Sequence, residues 1–328
     1  MPARKTESRI PQNLQASDLG QATVASDGRC ALVSFVTSPI VIGRENVCVV
    51  FITDGSLAAQ AASYEWTVAE STGPPKVETS TVGEFTYKPG SLGSVTLTVR
   101  LLDAGATEQA KLTMTQEVAP ASAALEDLIH AATNQPGPSA GDPDILRELI
   151  NQHNLYYQNV TLQTPESGDG FQRFVFSMVY DGASQRSVEE RKRHMEQLML
   201  SLNEGAVDFV TVSAQGAGVS GIRPLLLSMV VPDMLAFTLL PPDANQRALA
   251  VTQLLQALAA LDENKRIDLC NIVRFPRSNI TFCGRILETL RNKYFNTTSF
   301  DDVLTGMSGV RAQWITDQYH QGPITRSA

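Results

Sequence analysis

The chain has no run of about 20 apolar residues, the length a membrane-crossing helix needs. Its most apolar stretch, residues 225–240, is split by Pro232 and Asp233 into two short runs and reads as buried core. It has only four cysteines, Cys30, Cys48, Cys270 and Cys283, in 328 residues. That excludes a disulfide scaffold, and the lack of any C-x-x-C pair argues against structural zinc. Cys30 and Cys48 would meet only if their strands pair in a suitable register. Basic residues are in deficit: 26 Lys and Arg face 34 Asp and Glu, a net charge of −8. The deficit is spread over the whole length, with 9 basic and 12 acidic residues in 1–118 and 17 and 22 in 119–328. No block large enough to grip a phosphate backbone appears, so nucleic acid is not an expected partner. The densest cluster, Arg191-Lys192-Arg193, follows Glu189-Glu190 on a predicted helix and reads as a self-compensating solvated face.

No apolar run follows the polar N-terminal residues, so no secretory signal is visible. The expectation is cytoplasmic synthesis, with any export by a non-classical route. The sequons at Asn159, Asn279 and Asn296 then read as chance matches. What is present is 43% hydrophobic and 18% charged residues, the composition of a soluble globular protein of about two domains.

Residues 1–27 are polar around an isolated Ile10 and read as a flexible tail. Short β-rich runs follow at 31–36, 47–53, 64–68, 84–87, 94–101 and 111–118. Turn signals separate them: Ser38-Pro39, Asp54-Gly55, Gly73-Pro74-Pro75, Pro89-Gly90 and Asp103-Ala104-Gly105. Val95, Leu97, Val99 and Leu101 alternate with Thr96, Thr98 and Arg100, the period of a strand with one buried face. So many short strands in so short a span predict a β-sandwich.

The order Tyr64-Glu65-Trp66-Thr67-Val68, Glu84-Phe85-Thr86-Tyr87, Gly93-Ser94-Val95-Thr96-Leu97-Thr98-Val99 and Leu112-x-Met114 resembles a PKD-type immunoglobulin-like domain. Trp66, Tyr87 and Gly93 match the family's central-strand Trp, the aromatic pair, and the Gly before the Val-Thr-Leu-Thr-Val strand. The loop after the Trp departs from it, with Thr-Val-Ala-Glu-Ser where the family has Asp-Phe-Gly-Asp-Gly. Over 28–118 the resemblance implies an adhesive, spacing or docking module, not a reaction.

Pro120 marks a boundary, and residues 119–328 read as a mainly helical α+β domain. Ser122 heads a predicted helix carrying Leu125, Leu128 and Ile129, and 134–141 is a Pro/Gly connection. Asp142-Pro143 opens a helix with Ile145, Leu146, Leu149 and Ile150 on one face. Residues 164–170 read as a loop; 171–180, apolar and aromatic, and 206–213, alternating, read as strands. Ser187 and Glu190 form a capping box for a helix burying Val188, Met195, Leu198, Met199 and Leu202. Asp243 caps a helix over 244–261 with Ala248, Val251, Leu255 and Leu258 in register. Ile280, Cys283, Leu287, Leu290 and Tyr294 mark another helical face, Ser299 starts a short helix, and 310–319 is the last.

Gly216-Ala217-Gly218-Val219-Ser220-Gly221 is a literal G-x-G-x-x-G after a predicted strand over 207–212. Gly216, Gly218 and Gly221 would admit a pyrophosphate at a helix N-terminus, with Asp243 at a suitable distance for a ribose carboxylate. Pro224 falls in the first turns of the helix this requires, so a Gly/Ser loop is the first reading and a nucleotide site the alternative. His130, His153, His194 and His320 show no i+4 pairing and read as packing residues. Cys270 and Cys283 sit in apolar runs and read as core thiols rather than nucleophiles. Glu126-Asp127 and Asp301-Asp302 read as helix-start charges, with Glu148 the alternative general acid. Trp314 and Tyr319 fall at helical core spacing.

The expectation is a non-enzymatic binding or structural-assembly protein. It would be a β-sandwich docking module beside a helical interaction domain, with a protein or glycan surface as partner, membership of a larger assembly, and no cofactor or metal. The alternatives are an exported effector or cell-wall-acting hydrolase and, after it, a nucleotide-binding protein using Gly216–Gly221.

Overall fold

The computed structural model describes residues 9–120, 169–184, 188–204, 216–218, 220–231, 239–296, 298–305 and 309–323. The chain divides into two compact units, Met1–Tyr156 with Phe275–Arg277, and Tyr157–Arg274 with Ser278–Ala328. The sheets lie in the N-terminal part and the helices predominate in the C-terminal part.

Among the described residues of the first unit are nine strands: β1 (Gln21–Val24), β2 (Cys30–Ser34), β3 (Ile40–Val41), β4 (Asn46–Ile52), β5 (Ser63–Glu70), β6 (Lys76–Ser80), β7 (Glu84–Tyr87), β8 (Gly93–Leu102) and β9 (Glu108–Ala119). They form a four-stranded sheet, β1-β2-β4-β7, and a five-stranded sheet, β3-β9-β8-β5-β6. All pairs are antiparallel except β3 with β9. Alternation decides which residues fill the space between the sheets. On β8, Val95, Leu97, Val99 and Leu101 are buried, and they share one core with Leu32, Cys48 and Val50 of the other sheet. Trp66 is central to it, stacked on Phe85 at 5.0 Å between ring centroids. The opposite face of β8 is lined by threonines that pair across the ladder, Thr96 with Thr115 and Thr98 with Thr113, both at 3.1 Å.

A buried polar network ties the two sheets together. Asn46 Nδ2 donates to Tyr87 Oη (2.9 Å) and Gln116 Oε1 (2.8 Å), Ser34 Oγ donates to Asn46 Oδ1 (2.9 Å), and Gln116 Nε2 donates to the Val36 carbonyl (2.8 Å). The polar groups of this network thereby recover partners in place of lost water.

Several expectations change. Part of the expected 1–27 tail is built into the fold. A short helix, α1 (Ala16–Leu19), carries the fully buried Leu19, and β1 pairs with β2 from Gln21↔Ser34 to Val24↔Ala31. The segment is polar because its side chains are half-exposed, and its backbone ladder fixes it instead. β3 and β6 were not anticipated, and the Asp54-Gly55 turn opens a helix, α2 (Gly55–Gln60), with Asp54 Oδ1 accepting from Leu57 N at 2.8 Å. Cys30 and Cys48 do lie on paired strands, yet Cys30 faces Ile52 and Cys48 faces Ser34. A four-residue offset is about 13 Å at ~3.3 Å per residue, beyond disulfide reach, and both thiols are free.

In the second unit the described elements are helices: α3 (Asp169–Ser184), α4 (Val188–Glu204), α5 (Pro224–Leu227), α6 (Ala244–Ala259), α7 (Glu263–Arg274), α8 (Pro276–Tyr294, in this unit from Ser278 on), α9 (Phe300–Thr305) and α10 (Val310–Gln321). The strand expected at 171–180 is part of α3, and Asp169 and Gly170 of the expected 164–170 loop open it. Its buried residues Phe171, Phe174, Val175, Met178 and Val179 recur at three- and four-residue steps, the period of a helix face. The strand expected at 206–213, both helices expected between 122 and 150, and the 134–141 connection lie outside the described residues. Among the described residues this unit carries no strand, so the β part of the expected α+β domain is not seen there. On α8, Ile280, Cys283, Leu287, Leu290 and Tyr294 are all buried, as their spacing predicts. Phe171 and Phe174 of α3 pack on Phe300 of α9 at 4.7 and 5.9 Å.

Candidate functional site

The glycine loop is the sharpest motif in the sequence, and the second unit shows what holds it. Ala217 and Ile222 form an antiparallel bridge, with Ala217 N donating to the Ile222 carbonyl at 2.8 Å. Gly218 and Gly221 have φ of 72° and 62°, the left-handed region that glycine enters without strain. The loop therefore closes on itself as a tight turn. The helix after it, α5, has four residues and begins with Pro224.

Asn279 of α8, fully buried, plugs this turn. Its Oδ1 accepts from Ser220 N (2.9 Å) and Ser220 Oγ (2.6 Å), and its Nδ2 donates to the Ala217 and Val273 carbonyls (both 3.1 Å). Tyr319 of α10 adds an Oη donor to the Ser220 carbonyl at 3.0 Å. A Cβ at Gly218 would overlap the Asn279 amide and the Val273 carbonyl, one at Gly216 would overlap the Gly221 backbone, and one at Gly182 would press on the Ser220 backbone. The glycines Gly216 and Gly218 thus let polypeptide approach polypeptide, and the Ser220 amide and the Ala217 and Ser220 carbonyls are spent on Asn279 and Tyr319. A dinucleotide site would instead leave loop amides pointing at a pyrophosphate, on the end of a long helix. Asp243 is occupied too: it caps α6, its Oδ1 accepting from Asn245 N (3.1 Å) and Gln246 N (2.9 Å).

Cys283 lies one turn beyond Asn279 on α8, and Tyr319 and Ser220 are its hydrogen-bonding neighbours. Burial pushes its thiol up to about 11, against a smaller opposing pull from those two hydroxyls. Burial also pushes Cys270 up to about 12; that residue donates its Sγ hydrogen toward the Leu198 carbonyl at 3.9 Å. Tyr319 is raised as well, first by burial and then by Cys283. A nucleophilic thiol needs the opposite environment, one that favours thiolate. The cluster of Ser220, Asn279, Cys283 and Tyr319 is therefore a neutral internal lock.

Other candidates separate. His194 is buried on α4, and His320 meets the Tyr319 ring edge-on at 5.5 Å. Trp314 is half-buried, edge-on to Tyr294 at 6.0 Å. Ser299 Oγ accepts from Asp302 N at 3.1 Å and donates to Asp302 Oδ2 at 2.8 Å, so Asp302 serves the start of α9. Lys192 and Arg193 are exposed on α4. His130, His153, Glu126, Asp127 and Glu148 lie outside the described residues. Asn279 of the second sequon is buried with its amide engaged; Asn296 is exposed. Asn279 itself was missed as the key residue of the loop, because an Asn on the buried face of a helix some sixty positions away carries no local signal. Among the described residues no group of three or more His, Cys, Asp or Glu is placed to hold a metal ion, and no helix is long and apolar enough to cross a membrane. No protein-family model matches the chain, and no curated protein matches it.

Proposed function

We propose that the chain is a non-enzymatic binding or structural-assembly protein whose N-terminal unit is an immunoglobulin-like docking module of PKD type. The carrying observation is the Asn279 plug. The glycine loop, the sharpest sequence pointer to small-molecule chemistry, is committed to internal hydrogen bonds, with Cys283 and Tyr319 buried beside it. The sheet topology supports the immunoglobulin-like part of the reading. β4 and β7 pair in one sheet and β5, β8 and β9 in the other, with β6 beside β5, an arrangement matching strands B–E and C′–C–F–G of that fold. The burial of Trp66 on β5 supports the same reading, in which it is the central-strand tryptophan.

In this reading the outer face of the five-stranded sheet meets a protein or glycan surface, and the helical unit carries the specific interaction within a larger assembly. The test is gentle isolation of the full chain from its source, followed by cross-linking and identification of what is joined to it. A stoichiometric partner cross-linked through the N-terminal unit supports the proposal. A chain that runs alone and turns over a glycan or peptide substrate, with loss on a single polar substitution, contradicts it.

A further inference from the structure

The five-stranded sheet ends on one side at β6, and this edge carries its own complement. Among the described residues β6 pairs with β5 alone, so its other edge presents unpaired ladder groups. β6 is exposed along almost its whole length, and Val77 is 59% exposed. The other edges differ. β3 has two residues, β7 buries Phe85 and Tyr87, and β1 is half-buried except at its last residue. Natural edges are guarded by charged side chains, by proline or by short length. Proline stands before β6, at Pro74 and Pro75, but within the strand Lys76 and Glu78 have opposite charge.

The register of β5 and β6 sets the faces. Lys76 lies opposite Val68 and Glu78 opposite Trp66, so both share one face, while Val77, opposite Thr67, is on the other. Now let a second β6 run antiparallel with its Val77 opposite the first. Lys76 of each strand then faces Glu78 of the other, on the same side of the sheet, and the two exposed Val77 side chains cover one another. Shifting the pairing to centre on Glu78 would set Glu78 against Glu78, which is repulsive. Of these two registers the charges favour the one centred on Val77.

We propose that β6 is a self-pairing edge, joining the five-stranded sheets of two copies of this chain about a two-fold axis through Val77. The occupant is a second copy because the Lys-Val-Glu order is complementary to itself when reversed. It rests on the assembly reading above. A single short strand pair buries less than the roughly 1,200 Å² of stable interfaces, so the contact is weak and serves where the chain is concentrated or repeated in an assembly.

Sedimentation equilibrium of the full chain from about 10 μM to about 1 mM reads this directly. The expected result is a concentration-dependent dimer. Lys76→Glu alone or Glu78→Lys alone sets like charges opposite twice and weakens the dimer about ten-fold or more. The double reversal, Lys76→Glu with Glu78→Lys, restores it to within about three-fold of the starting value, because each pair is opposite again. A monomer throughout the range, or a double variant as weak as the single ones, overturns the proposal. A monomer that still cross-links to a different partner overturns the pairing and leaves the assembly reading standing.

Discussion

Asn279 makes four hydrogen bonds from a fully buried side chain, and each leaves a partner stranded if the amide is removed. Asn279→Ala is expected to cost about 3 kcal/mol or more, since an unsatisfied buried group costs about 1–3 kcal/mol. Gly218→Ala should cost a comparable amount, about 2–4 kcal/mol, through its positive φ and the overlap of the new Cβ with Asn279 and Val273. Urea unfolding of the two variants checks this, and stability near that of the unaltered chain would show that the loop is open. The thiols give a pH signature. Burial holds Cys48 and Cys270 at about 12 and Cys283 at about 11, against an ordinary value of 9.0. With folded values raised, the folded chain keeps protons that the unfolded chain has released. Stability is whole below pH 9.0 and falls as pH climbs toward the folded values, by about 1.4 kcal/mol per pH unit for each thiol. Urea midpoints at about pH 8 and about pH 10.5 measure the fall, and Cys283→Ala should flatten it by about one proton. An unchanged slope would show that the thiol is not buried in the folded state.

At the scale of elements, Asp243 separates cap from ligand. Asp243→Ala should lower stability by about 1 kcal/mol through loss of the α6 cap, with NAD, FAD and ATP giving no thermal shift before or after the change. A nucleotide shift that the substitution removes would reinstate the ribose reading. Elements were legible where period and burial coincide. The alternation on β8 and the stripe on α8 stand as the sequence spaces them. They were illegible where a half-period and a composition disagree. Residues 171–180 are rich in Phe and Val, which favour strands, but their buried members are spaced for a helix. β1 and β6 bury little side chain and are held by ladder bonds, which leave no hydrophobic mark. In α6 the expected stripe is buried at Leu255 and Leu258, half-buried at Val251 and exposed at Ala248. The candidate site was half legible: the glycines announce a tight backbone, but the amide that fills it comes from residue 279, some sixty positions away.

For the whole molecule, a net charge of −8 is spread along the chain. The proposed docking turns on faces of mixed or neutral character. The outer face of the five-stranded sheet is one, with paired threonines and the Glu65–Arg100–Glu108 ion pairs at 2.7 and 2.6 Å. The measurement that tests the central claim most directly is cross-linking of the full chain isolated gently from its source. The account predicts a partner joined through the N-terminal unit at Lys111, exposed opposite Arg100 on that outer face. A chain recovered without any partner, and active on a substrate, would contradict it.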